Sequence, residues 1–117
     1  MRKILIFFPL LILFLFSCGG NRDQAIKPPS TNEEAIQTYQ DALNSLKSGD
    51  YFYASKKFSE AEALLPQTEW AAKSALMSSY CLYAINFYDE AISNLERFVK
   101  MYPADKNLPY AHYLIAI

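Results

Sequence analysis

Three side chains of this sequence have reactive chemistry, and they lie far apart. They are the thiols of Cys18 and Cys81 and the imidazole of His112. A thiol can act as a nucleophile, a metal ligand, half of a disulfide or an attachment point for lipid, and an imidazole as a base or a metal ligand. Catalytic and metal sites need several such groups close together, and no motif gathers them. We therefore expect no catalytic residues, no metal site and no enzyme activity.

The residues before Cys18 have the pattern of an export signal. Arg2 and Lys3 are followed by thirteen almost uninterrupted apolar residues, Ile4 to Phe16. A helix needs roughly 20 apolar residues to cross a bilayer, so this stretch is too short for a membrane span. The sequence predicts a signal peptide over residues 1–17.

The four residues Leu15 to Cys18 resemble a bacterial lipobox, with Leu at its first position and a small residue before the cysteine. The resemblance implies that the Cys18 thiol receives a diacylglyceryl group, that the signal peptide is removed, and that the new amino terminus is acylated, as with palmitate. Gly19 follows, and by resemblance to the lipoprotein sorting rule it favours the outer membrane. The alternative is an ordinary secretory signal with a chance cysteine. Covalent lipid on Cys18 is thus the expected modification, with no other cofactor.

The segment of residues 18–31 is predicted to be the lipidated cysteine followed by a flexible tether. Its glycines, charges and Pro28-Pro29 pair show no apolar period, and the eleven residues from Gly20 to Ser30 would reach at most about 40 Å when extended. Two or three acyl chains would anchor it durably. Without the signal peptide the chain has nine basic and twelve acidic residues, so it lacks the excess of basic residues that nucleic-acid binding requires.

Beyond the tether the apolar residues recur at helical spacing. Residues 32–66 predict a first helical hairpin. A Thr31/Glu34 capping box opens its first helix, over roughly 32–48, and Gly49-Asp50 links it to the second, which ends before Pro66. The predicted apolar face of the first helix is Ile36, Tyr39, Leu43 and Leu46. That of the second is Ala54, Phe58, Ala61 and Leu65.

Residues 67–103 repeat this design. A helix opened by Gln67 or Thr68 breaks at Ile85-Asn86, and a second helix ends at Pro103. The apolar pattern recurs at an offset of thirty-seven residues, so that Ala54, Phe58, Ala61 and Pro66 match Ala91, Leu95, Phe98 and Pro103. Paired helices at such a period, with a closing proline, resemble tetratricopeptide repeats. Residues 104–117 then predict the start of a third repeat, which we expect to continue in a longer chain because solenoids end in polar caps.

The fold class expected is all-α, with tetratricopeptide-like hairpins stacked as a right-handed solenoid after the lipoprotein signal peptide and tether. Within it Cys81 is expected to be a buried inert thiol and His112 a packing or surface residue. Tyrosine is frequent on the first helices of the hairpins, which line the concave face in such arrays, and it suits peptide recognition. The rings could equally fill space between helices. The candidate peptide-binding residues are Tyr39, Leu43, Leu76, Tyr80, Tyr83, Tyr110 and Tyr113.

The whole chain resembles the N-terminal part of the BamD family, the tetratricopeptide lipoproteins of the outer-membrane β-barrel assembly machine. The lipobox with Gly19, the Lys-Pro-Pro tether and the run "RFVKMYPADKNLPYAHYLIAI" carry the resemblance. It implies a non-enzymatic scaffold at the outer membrane of a Gram-negative bacterium, facing the periplasm, whose partners are BamA, other assembly-machine subunits and unfolded outer-membrane protein segments. An extended strand ending in an aromatic residue would lie in the groove.

Two other interpretations remain open at this stage. The chain could be another tetratricopeptide lipoprotein adaptor, such as a pilus-secretin pilot or an adaptor for a cell-wall enzyme. It could also be an enzyme-associated domain whose catalytic part lies beyond Ile117. Co-purification with BamA would separate the first alternative, and the downstream reading frame would separate the second.

Overall fold

The computed structural model describes residues 30–117. The predicted signal peptide, the predicted lipidation site Cys18 and the predicted tether up to residue 29 lie outside the described residues. The described part is all-helical, which confirms the predicted fold class. Its five helices are α1 (Thr31–Ser48), α2 (Tyr51–Leu64), α3 (Glu69–Ala84), α4 (Tyr88–Met101) and α5 (Leu108–Ala116).

Helix α1 begins one residue earlier than predicted, because the capping box is one residue earlier. Ser30, not Thr31, is the N-cap: its Oγ accepts from the Glu33 N–H at 3.2 Å, and the Glu33 carboxylate accepts from the Ser30 N–H at 2.9 Å. Both pairs have the Ser/Thr-x-x-Glu spacing, and Ser is the slightly better N-cap. The box predicted for Thr31 and Glu34 is therefore wrong by one position.

The turns inside the two hairpins share a left-handed residue at the same repeat position, although only the first has a side-chain N-cap, because Phe87 at the start of the fourth helix makes no such hydrogen bond. Gly49 has φ +84° and closes α1, and the Asp50 carboxylate then caps α2 by accepting from the Tyr53 N–H at 3.0 Å. Thirty-seven residues later Asn86 takes the same left-handed conformation, with φ +64°, between α3 and α4. Gly and Asn are the residues that adopt this region most readily. The repeat seen in the side-chain pattern is thus present in the backbone too.

Two apolar clusters hold the helices together. The first joins α1, α2 and α3 around Phe58, and the second joins α3, α4 and α5 around Phe98. The predicted buried positions Ala54, Phe58 and Ala61 of α2, and Ala91, Leu95 and Phe98 of α4, are confirmed. Helix α3 contributes to both clusters and is therefore the shared element of the stack.

The predicted apolar face of α1 needs a correction. Ile36 is 47% exposed, whereas Ala35, Thr38 and Ala42 are buried beside Tyr39. The buried stripe is rotated toward the smaller residues because small side chains allow neighbouring helices to approach closely. Leu65, which was predicted to be buried, is only half-buried because it lies past the last turn of α2.

A buried polar network also connects the two hairpins. The Glu62 carboxylate on α2 receives two hydrogen bonds from the Arg97 guanidinium on α4, at 2.5 and 2.8 Å, and one from the Tyr102 hydroxyl at 3.2 Å. This contact was not predicted from the sequence. The sequence does contain a sign of it. Glu62 lies on the second helix of the first hairpin, and the oppositely charged Arg97 lies roughly one repeat later on the second helix of the next hairpin, where stacking brings the two side by side.

Candidate functional site

The largest grouping of predicted groove residues lies at a cleft between the start of α3 and the start of α5. The cleft has a volume of about 340 Å³. This volume is near the lower end of the range for small-ligand pockets, which suits one or two residues of an extended peptide. Its lining residues are Glu69, Lys73, Leu76, Met77, Asp105, Lys106, Asn107 and Tyr110.

The turn that forms one wall of the cleft is fixed by local hydrogen bonds. The Asp105 carboxylate accepts from the Asn107 backbone N–H at 2.8 Å and from the Asn107 side-chain amide at 3.0 Å. Pro109 then lies in the first turn of α5, where its missing N–H costs nothing. These contacts hold the start of α5, and with it Tyr110, in place beside α3.

The opposite wall begins at the capped end of α3. Thr68 Oγ1 accepts from the Ala71 N–H at 3.1 Å and donates to the Leu65 carbonyl at 2.7 Å, which ties the helix start to the preceding turn. Lys106 reaches across the cleft from the α5 side to the Glu69 carboxylate at 3.1 Å. Both of these side chains are more than three-quarters exposed, so the bridge contributes little to stability.

Lys73 is a cleft cation with aromatic neighbours. Its Nζ lies 5.6 Å from the ring centroid of Tyr39 and 5.9 Å from that of Trp70. The two rings meet edge to face at 5.2 Å. Such an arrangement supports an ammonium group by cation–π attraction while leaving it open to solvent.

The structure places the predicted groove residues in different environments. Leu76 and Tyr110 line the cleft. Tyr39 is only 4% exposed, and its ring packs on Phe58 and Trp70, so it is a core residue without a surface for peptide. Leu43 is half-buried against the same core cluster. The alternative reading, that tyrosine rings fill space between helices, holds for Tyr39.

The remaining tyrosines fall outside the cleft. Tyr80 is exposed on α3, and Tyr113 is exposed and stacks on Tyr110 with centroids 6.3 Å apart. Tyr83 packs edge to face on Tyr88 and lines a separate apolar cleft of about 360 Å³ beside α4 and the end of α5. Tyr83 and Tyr110 therefore do not share one groove, contrary to the arrangement expected from their helix positions.

Cys81 and His112 are the two reactive side chains within the described residues, and their surroundings fit a structural role. Cys81 is fully buried, and burial raises the pKa of its thiol to about 11, so it is almost entirely protonated at neutral pH. His112 is exposed on α5. Across residues 30–117, no three or more Cys, His, Asp or Glu side chains come close enough to hold a metal ion. No helix in that range has the length and apolarity that crossing a bilayer requires.

The fold is that of a tetratricopeptide-like repeat protein. It has paired antiparallel helices, a turn geometry that is repeated after thirty-seven residues, and a cleft between successive first helices. The sequence pattern of the YfiO family, described as outer membrane lipoproteins, matches residues 31–117. This chain belongs to that family.

Similar proteins from three bacteria lead to the same family assignment. The chain is 35% identical over 108 residues to outer membrane protein assembly factor BamD of Caulobacter vibrioides, covering 91% of this chain and 35% of that protein. It is 30% identical over 116 residues to BamD of Neisseria gonorrhoeae, covering 97% of this chain and 43% of the relative. For BamD of Rickettsia prowazekii the identity is 26% over 119 residues, covering 100% and 45%. The chain thus spans less than half the length of these relatives.

Proposed function

We propose that this chain is part of a non-enzymatic, lipid-anchored scaffold that receives segments of unfolded outer-membrane proteins. The cleft between α3 and α5, where apolar Leu76 and aromatic Tyr110 lie beside polar and charged groups, is the observation that carries the proposal. Membership of an outer membrane lipoprotein family and the assembly-factor name of the relatives support it. These supports also favour it over a secretin pilot or a cell-wall-enzyme adaptor.

The proposed binding mode follows from the shape and lining of the cleft. A β-strand alternates its side chains, so the segments of an outer-membrane β-barrel carry apolar residues on one face. In an extended segment, one apolar side chain would contact the Tyr110 ring and the half-buried Met77, above Leu76, which is 8% exposed and forms the floor of the cleft. The tyrosine ring gives a large contact area at a small entropic cost, and its hydroxyl is free to bond peptide backbone.

The position of the cleft agrees with attachment through Cys18. Helices α1, α3 and α5 alternate with the antiparallel α2 and α4, so all three begin at the same end of the stack. The cleft lies at the starts of α3 and α5, and the tether enters at the start of α1. A tether from Cys18 would therefore keep the end of the stack that carries the cleft near the membrane surface. We propose an outer-membrane, periplasm-facing location, supported by membership of a family described as outer membrane lipoproteins.

The proposed protein partner is BamA, together with other subunits of the assembly machine. This proposal rests on the family alone, because no described residue has been matched to a partner. Co-purification of the intact lipoprotein after mild crosslinking is the test. Recovery of BamA is the expected result, and recovery of a secretin or a peptidoglycan hydrolase in its place would overturn the assignment.

The groove proposal is tested by a pair of matched tyrosine variants. Tyr110→Ala removes a ring from the cleft, whereas Tyr53→Ala removes a similarly exposed ring of α2 that does not line it. We expect Tyr110→Ala to weaken binding of a ten-residue β-barrel strand peptide by about five- to tenfold, as for an interface residue worth roughly 1 kcal/mol or more. Tyr53→Ala should stay within about twofold of the parent.

The measurement is fluorescence anisotropy of the labelled peptide titrated with the intact lipoprotein in detergent micelles. Circular dichroism of both variants checks that the helices remain folded. Equal affinities for Tyr110→Ala and the parent protein would remove the α3–α5 cleft from the binding site.

A further inference from the structure

An exposed apolar patch lies near the starts of α1 and α3, outside the α3–α5 cleft. Ile36 on α1 is 47% exposed and Trp70 on α3 is 46% exposed, and with the half-buried Leu65 they surround one small cavity. We call these three residues the Ile36–Trp70 patch. Trp70 packs on Tyr39 toward the core, so its open area faces outward. Adjacent exposed apolar side chains of this size mark a contact surface more often than isolated ones do.

A buried hydroxyl without a partner lies beneath this patch. The cavity has a volume of about 10 Å³, which is room for one water molecule at most. Ser74 lines it and is 1% exposed, and its Oγ has no hydrogen-bond partner among the described residues. Because an unpaired buried hydroxyl is destabilising, the occupant of the patch should supply a polar group, directly or through one water. A polypeptide backbone has such groups, whereas hydrocarbon has none.

The segment of this chain that enters α1 has the composition and the reach to cover the patch. Ile36 follows Ser30 by six residues, which is about 9 Å along the axis of α1. Ile26 precedes Ser30 by four residues, and an extended chain of that length spans about 14 Å. Ile26 can therefore reach Ile36 and Trp70 with length left for the chain to reverse its direction. The apolar residues of the tether are grouped in this stretch: Ala25, Ile26, Pro28 and Pro29.

Charge and backbone stiffness also favour the tether as the occupant. Glu33 and Glu34 lie in the first turn of α1, beside the patch. The tether carries two basic residues, Arg22 and Lys27, and one acidic residue, so it is attracted to this end of the stack, whereas an anionic lipid surface would be repelled. The Pro28-Pro29 pair restricts the backbone, so that ordering it costs little, and proline rings pack well on aromatic side chains.

We infer that residues 25–29 fold back over the start of α1, where Ile26 packs against Ile36 and Trp70 and a backbone carbonyl of the segment accepts from the Ser74 hydroxyl. A covalently attached segment needs few contacts to dock, because its effective concentration at the patch is roughly millimolar. Docking would leave only residues 20–24 free, and these span about 18 Å in place of about 40 Å. Docking of the tether does not depend on peptide binding in the α3–α5 cleft.

Trp70 is the single tryptophan of the sequence, so its fluorescence reports on the patch alone. The experiment measures acrylamide quenching of Trp70 in the intact lipoprotein in detergent micelles. Ile26→Ser should raise the quenching constant about twofold, because a ring that the segment half covers regains its open area. Gln24→Ser is the matched control in the same tether and should leave the constant unchanged. Circular dichroism checks that both variants remain folded.

Disulfide trapping locates the segment on α1. Ile26→Cys is combined with either Ile36→Cys or Glu34→Cys, and loss of free thiols under mild oxidation is followed by maleimide labelling. Glu34 is nearer to Ser30 but lies on the opposite side of α1 from Ile36, since two residues turn a helix by about 200°. A free tether would reach Glu34 at least as often as Ile36. A docked tether should form the disulfide at Ile36 at least about fivefold faster, and the fully buried Cys81 does not compete.

Each contrary result overturns the docking of the tether. Unchanged quenching in Ile26→Ser would show that the tether does not cover Trp70, and trapping at Glu34 as fast as at Ile36 would show that it has no docking site on α1. Strong quenching of Trp70 by a brominated detergent in the parent protein would assign the patch to a lipid surface. A quenching constant that falls as protein concentration rises would assign it to a second copy of the chain.

Discussion

The contact between the two hairpins makes an asymmetric prediction about stability. Glu62 on α2 and Arg97 on α4 form a two-pronged ion pair, but their side chains differ in exposure, at 9% for Glu62 and 40% for Arg97. The Tyr102 hydroxyl is the only other side-chain partner that the carboxylate has among the described residues. Removing the arginine therefore leaves a buried anion with one neutral donor, whereas removing the charge of the glutamate leaves a cation that water can reach.

The two substitutions should therefore differ in cost. Arg97→Met keeps the apolar length of the side chain, and we expect it to lower the free energy of unfolding by about 3 kcal/mol, the lower end of the range for an uncompensated buried charge. Glu62→Gln keeps a hydrogen-bonding amide beside a guanidinium that can hydrate, and should cost only about 1 kcal/mol. The double variant should cost less than Arg97→Met alone, because the buried charge is then absent.

Urea unfolding followed by the fluorescence of Trp70, the single tryptophan of the sequence, measures all four proteins. The double-mutant cycle isolates the energy of the pair. Equal costs for the two single variants, or a double variant that shows the sum of both, would refute the reasoning from unequal burial. A larger loss of unfolding free energy for Glu62→Gln than for Arg97→Met would contradict it even more directly.

Two further predictions concern the hairpin turn and the buried thiol. Gly49→Ala should lower the free energy of unfolding by about 1 kcal/mol through backbone strain alone, since φ is +84° and an added Cβ would meet no atom within 4 Å. Gly49→Asn should cost less, because Asn adopts this conformation more readily than Ala. Urea unfolding curves that show no difference between the Ala variant and the parent would contradict this prediction. Burial raises the pKa of Cys81 from 9.0 to about 11, so the unfolded chain loses this proton first and stability falls as pH rises from 9 toward 11, by at most about 1.4 kcal/mol per unit. Cys81→Ala should make that decline shallower, and an identical pH slope in both proteins would exclude the thiol as its source.

The arrangement of the helices could be predicted from local patterns. Helices α2 and α4 begin, end and bury their apolar stripes where the local patterns predict. These patterns are the thirty-seven-residue offset, Gly49 at the first turn and the closing prolines. These features depend on residues close in sequence, whose conformational preferences act locally. For the same reason the error at the start of the first helix was small, a shift of one residue between two equivalent capping pairs, whereas its buried face, which depends on other helices, needed a larger correction.

The candidate site could be predicted only in part, because it depends on contacts between distant helices. Tyr39 and Tyr110 both occupy first helices and both read as groove residues. Only the structure shows that Trp70, on α3, packs on Tyr39 and leaves it 4% exposed, whereas Tyr110, whose ring stacks on Tyr113, stays 43% exposed. Whether a tyrosine is core or surface is decided by the size of its neighbours on other helices, and helical periodicity carries no information about them.

The cleft exists only because two hairpins are stacked, and this links the buried ion pair to the site. Its walls come from α3 and from the start of α5, which are separated along the chain by α4. Helix α4 is held to α2 by Glu62 and Arg97, and Phe98 and Tyr102 at its end belong to the core cluster that contains Ala111 and Leu114 of α5. Tyr102 takes part in both sets of contacts. Arg97→Met is therefore expected to weaken peptide binding as well as stability, because packed residues connect the ion pair to the wall carrying Tyr110; unchanged peptide affinity in a folded Arg97→Met variant would show that the two are not coupled.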